Sequence, residues 1–392
     1  MDLFEITGAF GIITSILSFS NNATLSSVCR YAMYAFWGAY VLMVILKGNF
    51  KVRPIIWYML AVYGIMFAAG RFFYSAGLYQ SYGPGPAMYM PYCAFFYFAG
   101  YNCQNDCKRE ANIYIKAFLY AHIVFVILKL IFIRDPESNY SGKNMSAQII
   151  GMGIILAMYV LPLLEHKKWM RWAFLAFALF SFFVLIQMHS RTPALAVLIT
   201  TAYWLFSRRE KKRYLVLALL VIAISVYYFN TEGGSNFLFD YLQGDKSQDE
   251  LTWSVVTSGR TDLYAEVFQE ILQHPLLGQG AWAYLDCFPL HVFRTGGLLA
   301  AMLLFPVAYG RILRYIRQGF LQSVRITADQ QDTIIKISSL ICSYYFVVSL
   351  FEGYPPLGPN ASAFMLWLMI GLTDRYCDDY SAERTRIPQE AS

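Results

Sequence analysis

The chain has 392 residues, of which 57% are hydrophobic, 18% aromatic and 14% charged, and its formal net charge is +6. About a quarter of the residues of a soluble protein are charged, so this composition excludes an ordinary soluble domain. The positive charge does not indicate nucleic-acid binding, because the basic residues are scattered through short polar segments and form no basic face. The chain is therefore predicted to be an all-α, polytopic membrane protein.

Apolar stretches recur along almost the whole sequence, each near the length that a bilayer requires. They lie at residues 3–19, 31–46, 54–69, 87–101, 113–132, 147–164, 169–188, 192–206, 214–229, 297–316, 334–351 and 362–373. The fourth, eighth and last are the shortest. The sequence thus predicts about twelve transmembrane helices.

Basic residues are distributed unequally between the two sides of this predicted bundle. If both termini are cytoplasmic, twenty-two of the 31 Lys and Arg residues lie on the cytoplasmic side and eight lie outside, with Lys129 inside a span. Basic residues crowd cytoplasmic loops, so this bias predicts cytoplasmic termini. Four regions follow: helices 1–9 (1–229), an extracytoplasmic loop (230–296), helices 10–12 (297–376) and a cytoplasmic tail (377–392). The last twenty or so residues are polar and predicted to be disordered.

The second half of the large outer loop contains a helical pattern at residues 261–273. Tyr264, Phe268 and Ile271 share one face, and Pro275 then ends the pattern. The sequence therefore predicts an amphipathic helix that rests on the outer membrane surface or caps a cavity.

Two arginines on the outer side are candidates for binding phosphate. Arg191 begins the eighth span and is followed by Pro193, which places its guanidinium near a helix N-terminus, where anions bind. Arg260 precedes the amphipathic helix in a region poor in other cations. The alternatives are an interfacial arginine that snorkels and a solvated arginine that caps a turn. A phosphate or pyrophosphate group would explain both positions.

Further candidates surround these arginines. His291 precedes the tenth span and lies near Arg294, and nearby arginines would lower its pKa and keep it neutral, as a general base requires. The alternative is a structural histidine. Glu352 could orient this histidine or bind sugar hydroxyls, or be an ordinary interfacial carboxylate. Lys143 and Asn144 could simply form the start of a helix. The alternative hypothesis is that they contact a sugar or a phosphate.

Motifs that the sequence lacks exclude several classes of reaction. The sequence contains no P-loop, no G-x-G-x-x-G, no H-E-x-x-H and no CxxC pair, and no cytoplasmic loop is large enough for a nucleotide-sugar domain. Neither a cofactor nor a metal site is predicted. If the protein transfers sugars, its donor must arrive already attached to lipid.

Five short motifs in a fixed order resemble the bacterial O-antigen ligase and polymerase superfamily, most closely its Wzy-type polysaccharide polymerases. The resemblance runs from Gly142 to about residue 372. The motifs are Gly142-Lys143-Asn144, His189-Ser190-Arg191-Thr192, Ser258-Gly259-Arg260-Thr261-Asp262-Leu263-Tyr264, His274-Pro275-Leu276-Leu277-Gly278-Gln279-Gly280, and His291 followed by Gly296-Gly297.

The resemblance implies a metal-independent glycosyltransferase with a GT-C-like fold in the bacterial inner membrane, acting in lipopolysaccharide or capsule synthesis. Its donor would be a glycan on undecaprenyl pyrophosphate. In this family the two arginines bind the pyrophosphate and a loop histidine is the proposed base, which maps onto Arg191, Arg260 and His291. Arg294 would be a further substrate contact. The family usually has a polar residue after the histidine, whereas this chain has Val292, and His274 is the alternative base.

The resemblance also implies partners, and two other functions stay open. A chain-length regulator and a flippase are expected partners, whereas nucleic acid is not. An O-antigen ligase would use lipid A core as its acceptor instead of a second lipid-linked repeat. A transporter would show internal repeats and polar helix breaks at the bilayer centre. The sequence shows no repeat and places its notable charges at the outer face, which favours the transferase.

Overall fold

The computed structural model describes residues 2–20, 22–79, 83–131, 143–163, 168–188, 190–206, 260–280, 285–325 and 333–390. Within these ranges the regular structure is helical, which confirms the predicted all-α class. The helices are α1 (Leu3–Leu17), α2 (Ala23–Leu46), α3 (Pro54–Ser75), α4 (Met90–Tyr101), α5 (Cys107–Ile131), α6 (Lys143–Leu163), α7 (Lys168–Gln187), α8 (Arg191–Phe206), α9 (Arg260–Gln273), α10 (Phe288–Arg325), α11 (Thr333–Ser349) and α12 (Ala361–Glu390).

The helices include several that suit a bilayer by length and composition. Four of those described are long and apolar enough to cross it: α2, α3, α5 and the part of α10 at Phe288–Leu321. Shorter apolar helices are Leu3–Leu17, Trp172–Gln187 and Thr333–Ser349. The chain is therefore a multi-pass membrane protein. The number of twelve spans stays a prediction, and the predicted span at 214–229 lies outside the described residues.

The predicted helix bounds differ from the observed ones where capping or packing matters. The second helix begins at Ala23 instead of residue 31, because the Asn22 side chain accepts a hydrogen bond from the Leu25 amide at 2.9 Å and caps it. Helix α4 has only 12 residues, about 18 Å of helix. It packs closely against α12, where Gly100 of α4 meets the backbone at Leu368 and Gly371 meets the backbone at Tyr97.

Contacts between chain segments sort into two ends of the bundle. At one end, Arg109 pairs with Glu5 at 2.7 Å and Arg53 pairs with Asp378 at 3.1 Å. At the other, the Asn144 amide donates to Glu352 at 3.3 Å. Each pair joins residues that the charge pattern places on the same side of the membrane. Which of the two sides is cytoplasmic stays a prediction.

The prediction of a disordered polar tail is wrong for residues 374–390, because α12 continues without interruption to Glu390. Its first polar turns are fixed by contacts with other helices. Asp374 is 3% exposed and accepts hydrogen bonds from Tyr97, Tyr315 and Arg311. Asp378 accepts one from Tyr101 at 2.6 Å. These satisfied carboxylates stabilise the helix where composition alone predicts disorder.

Helix α10 is broken at Gly296 and Gly297, and the turn that follows α9 fills the break. The amides of Gln279 and Gly280 donate to the carbonyls of Arg294 and Thr295, each at 2.9 Å. In return, the Leu298 amide donates to the Pro275 carbonyl at 2.8 Å. Backbone groups freed by the break are thus satisfied by the turn, which explains why the motif at residues 274–280 accompanies the glycine pair.

Gly297→Ala is expected to destabilise the folded protein by roughly 1–3 kcal/mol, because Gly297 has φ 60° and ψ −155°, a conformation nearly restricted to glycine. An added Cβ would also clash with the backbone at Leu276. Gly310→Ala is the matched control, since Gly310 lies in the same helix with open space around it. It should stabilise by about 0.5–1 kcal/mol. Thermal unfolding in detergent measures both, and equal shifts would contradict this account of the break.

Candidate functional site

Arg260, the first residue of α9, lies at the centre of a polar cluster. Its Nη1 donates to Thr192 Oγ1 at 3.1 Å, and its Nε and Nη2 donate to Asp286 Oδ2 at 3.1 and 2.9 Å. Glu352 Oε1 lies 3.9 Å from Nη2. Burial alone would lower the pKa of Arg260, but the carboxylates of Asp286 and Glu352 outweigh it and raise that pKa. The guanidinium therefore stays charged.

The cluster includes the first turn of α8. This helix begins at Arg191, and Thr192, the residue that accepts from Arg260, is buried. The Arg191 side chain is half-buried. The structure thus brings the helix start that carries Arg191 into contact with the helix start that carries Arg260. One guanidinium and two helix N-termini, those of α8 and α9, therefore meet beside the carboxylates of Asp286 and Glu352.

Glu352 connects this arginine to α6. Its side chain is buried, and the Asn144 Nδ2 donates to its Oε2 at 3.3 Å. Lys143 is the first residue of α6 and is half-buried beside Asn144. We name Asn144, Thr192, Arg260, Asp286 and Glu352 the Arg260 cluster.

Buried polar residues fix the segment that carries Glu352. Gln148 lies one turn after Asn144 on α6 and accepts a hydrogen bond from Asn360. The Tyr345 hydroxyl lies 3.1 Å from Asn360 Oδ1, and all three side chains are buried. Satisfied polar groups inside a bundle restrict it to one arrangement. The position of Glu352 against α6 is therefore set by these contacts.

His291 lies on a helix, not in a loop as predicted from the sequence. It occupies the part of α10 before the glycine break, and its side chain is 3% exposed. Its ring stands 6.1 Å from the Tyr354 ring at 73°. Within the described ranges no hydrogen-bond partner reaches its Nδ1. The neighbouring Val292 is completely buried, so an apolar residue suits that position.

Arg294, predicted to contact substrate, is paired with a carboxylate. Its Nε lies 2.7 Å from Glu270 Oε2, and its Nη2 donates to Glu270 Oε1 at 3.3 Å. The pair joins α9 to α10. A substrate contact by Arg294 stays a prediction and would have to compete with Glu270. His274, the alternative base, is exposed at the end of α9, whereas His189 and residues 258–259 lie outside the described part of the chain.

Residues 260–273 are helical as predicted and form α9, whereas a position of this helix at the outer membrane surface stays a prediction. Val267 is buried, and Tyr264 donates from its hydroxyl to the Asp286 carbonyl. Phe268 and Leu272 are more than half exposed, at 53% and 58%. The helix therefore packs one face on the start of α10 and leaves further apolar side chains exposed.

Sequence reasoning missed Asp286, Thr192 and Tyr354. Asp286 is the only acidic residue between the turn at 274–280 and His291, which is the one signal that could have singled it out. Thr192 directly follows Arg191, and the charge of that arginine made it the candidate instead. Tyr354 was one aromatic among the 30 tyrosines of the chain. Their importance follows from contacts between segments far apart in the sequence.

These features define a class: a multi-pass helical membrane protein with a buried polar cluster, built around one arginine and two carboxylates, where the starts of two helices meet. Residues 175–297 match a family model described as O-Antigen ligase. The match confirms, for that segment, the resemblance to the O-antigen ligase and polymerase superfamily, a family of glycosyltransferase-like enzymes in polysaccharide synthesis. It includes Arg191, Arg260 and His291, whereas Lys143, Asn144 and Glu352 lie outside it. A comparison with curated proteins finds no significant match.

Proposed function

We propose that the protein is a polysaccharide polymerase of the bacterial inner membrane. It transfers a glycan from undecaprenyl pyrophosphate to a hydroxyl of an acceptor lipid-linked repeat at the extracytoplasmic face. The observation that carries this proposal is the contact between Arg260 and Thr192, which joins the helix starts of both candidate arginines within the family-matched segment. The pyrophosphate of the donor is the anion that such a cluster would bind.

The arginines act on the leaving group. As the bond between the anomeric carbon and the pyrophosphate oxygen breaks, that oxygen keeps the electron pair and gains negative charge. Arg260 is held by Asp286 and Thr192, so its charge is already oriented before the reaction begins. Preorganised charge of this kind stabilises the transition state without reorganisation. Arg191 adds a second cation at the N-terminus of α8.

His291 receives the proton. The acceptor hydroxyl oxygen forms the new bond to the anomeric carbon, and its proton moves to an imidazole nitrogen of His291. The products are the glycan extended on the acceptor and undecaprenyl pyrophosphate, and the proton passes to solvent to regenerate the base. Lys143 and Asn144 contact sugar or phosphate, and Glu352 orients His291 or binds sugar hydroxyls. No metal takes part in these steps.

An O-antigen ligase is the second candidate, and the description of the matching family favours it. The two enzymes differ only in the acceptor: a lipid-linked repeat for the polymerase and lipid A core for the ligase. Deletion of the gene separates them. Cells without a polymerase retain single repeats on the final acceptor, whereas cells without a ligase attach none. The same family match counts against a transporter, since transfer does not require alternating access.

The proposed function is tested with purified protein in lipid nanodiscs and a lipid-pyrophosphate-linked repeat extracted from the source cells. We expect a ladder of longer lipid-linked products in the presence of a metal chelator and without nucleotide sugar. Protein with Arg260→Ala serves as the inactive control. A mixture that gives no product longer than the starting repeat, or a ladder that needs added metal, would contradict the proposal.

A further inference from the structure

One tyrosine lies beside His291, and a second tyrosine packs on the first. The Tyr354 ring is 6.1 Å from the His291 ring, and the Tyr89 ring packs on Tyr354 at 5.6 Å and 83°. Both tyrosines are half-buried, so part of each ring remains accessible. They come from separate segments, one before α4 and the other between α11 and α12. We name them the tyrosine pair.

The backbone that carries Tyr354 is well anchored. The Leu357 amide donates to the Tyr354 carbonyl at 2.9 Å, and Trp367 Nε1 donates to the Pro356 carbonyl at 3.0 Å. Leu357 and Trp367 are both completely buried. Residues 355, 356 and 359 are prolines, which restrict the backbone further. The ring is thus held in place beside the histidine and needs no ordering when a ligand arrives.

His291 provides the second observation. Its side chain is more than nine-tenths buried, and its Nδ1 has no hydrogen-bond partner in the described structure. A buried polar atom without a partner costs free energy unless a ligand or water satisfies it. The described structure therefore presents an unpaired nitrogen on a side chain that lies next to the Tyr354 ring, which in turn contacts Tyr89. A hydroxyl group attached to a ring with an apolar face fits both features.

We propose that the tyrosine pair is the binding site for the acceptor sugar. A pyranose ring has a face of C–H groups that stacks on an aromatic ring, and its hydroxyls lie at the edge. A sugar stacked on Tyr354 would direct one hydroxyl toward His291 Nδ1. The tyrosine pair carries no cation, whereas the Arg260 cluster does, so the two surfaces divide acceptor glycan from donor pyrophosphate. This inference rests on the proposed function and adds where the acceptor binds.

The test measures binding of a glycan without its lipid carrier. The probe is the oligosaccharide repeat released by mild acid from the lipid-linked material of the source cells. Its affinity for the full-length protein in nanodiscs is measured by saturation-transfer NMR titration. We expect Tyr354→Ala and Tyr89→Ala each to weaken binding by about three- to ten-fold, the factor that one aromatic contact supplies. Tyr354→Phe keeps the ring and should bind within about two-fold of the native protein.

Tyr31→Ala is the matched control, because Tyr31 is 74% exposed on α2. Thermal unfolding of each variant identifies any that fails to fold, and Tyr89→Ala and Tyr354→Ala check each other. Arg260→Ala should lose transfer but still bind the oligosaccharide. Loss of binding in both tyrosine variants, with Tyr31→Ala unchanged, supports the site.

Unchanged binding in Tyr354→Ala and Tyr89→Ala overturns the inference, as does a native protein that does not bind the oligosaccharide. The proposed function is judged separately by transfer. If the native protein extends the lipid-linked repeat but glycan binding does not depend on the tyrosine pair, the polymerase proposal is supported and the acceptor-site proposal is rejected. If glycan binding depends on the tyrosine pair but no transfer occurs, the glycan-binding site is supported and the polymerase proposal is rejected.

Discussion

Arg260→Ala is expected to abolish polymer formation and to reduce the rate of transfer in vitro by about 100- to 1,000-fold. The guanidinium is oriented by Asp286 and Thr192, and the developing charge on the pyrophosphate would lose its positioned counter-charge. Arg260→Lys keeps the positive charge, but an ammonium group lacks the planar set of N–H donors that lets a guanidinium bond Asp286 and Thr192 together. We therefore expect intermediate activity. The measurement is the ladder of products from a deletion strain that expresses each variant.

Protein level and folding need separate control, because removing Arg260 leaves Asp286 and Glu352 without their cation. Arg71→Ala is the matched arginine control: Arg71 is exposed on α3 and is also predicted to lie on the outer side. It should give a native ladder. Normal chain length with Arg260→Ala at native protein level would end the pyrophosphate hypothesis.

His291→Gln is expected to reduce transfer by about 100- to 10,000-fold, the usual contribution of a general base. Glutamine preserves a polar group in the buried position beside Tyr354 but cannot accept a proton at neutral pH. Binding of the lipid-linked donor should change little, because the arginines remain. Single-turnover transfer with saturating donor separates the chemical step from binding.

His274→Ala distinguishes the two candidate bases. His274 is exposed at the end of α9, so its replacement should neither disturb packing nor reduce transfer. If His274→Ala is inactive and His291→Gln is active, the base has been assigned to the wrong histidine. If both are active, neither imidazole takes the proton in the rate-limiting step.

Part of the candidate site could be predicted from the sequence. Arg191, Arg260 and His291 stood out because charged and titratable residues are few on the predicted outer side, and short motifs surround each of them. Asp286 and Tyr354 could not be found in the same way. Their significance depends on contacts with Arg260 and His291 that join distant segments, and no local pattern encodes those distances. Arg294 was singled out for its charge, but Glu270 compensates that charge in the fold.

Helix limits show the same division. Hydropathy located the apolar part of the membrane helices. It did not reveal that Asn22 caps α2, or that Asp374 and Asp378 of α12 accept hydrogen bonds from tyrosines of α4. The pair Gly296-Gly297 was noticed as a motif before a span, but neither the helix that precedes it nor the segment that satisfies the break in α10 was predicted. Hydrogen bonds between distant segments decided the last two points, whereas the Asn22 cap is a local contact that hydropathy does not register.

The sequence by itself determined that this protein is a helical, multi-pass membrane protein, and its residues 175–297 match a family model described as O-Antigen ligase. The reason is that a bilayer demands long apolar helices and leaves few places for charge. Only the tertiary structure decided which charges meet. It placed Arg260 against the start of α8, paired Arg294 with Glu270 and set Tyr354 beside His291, because packing of separate helices fixes distances that the order of residues does not contain.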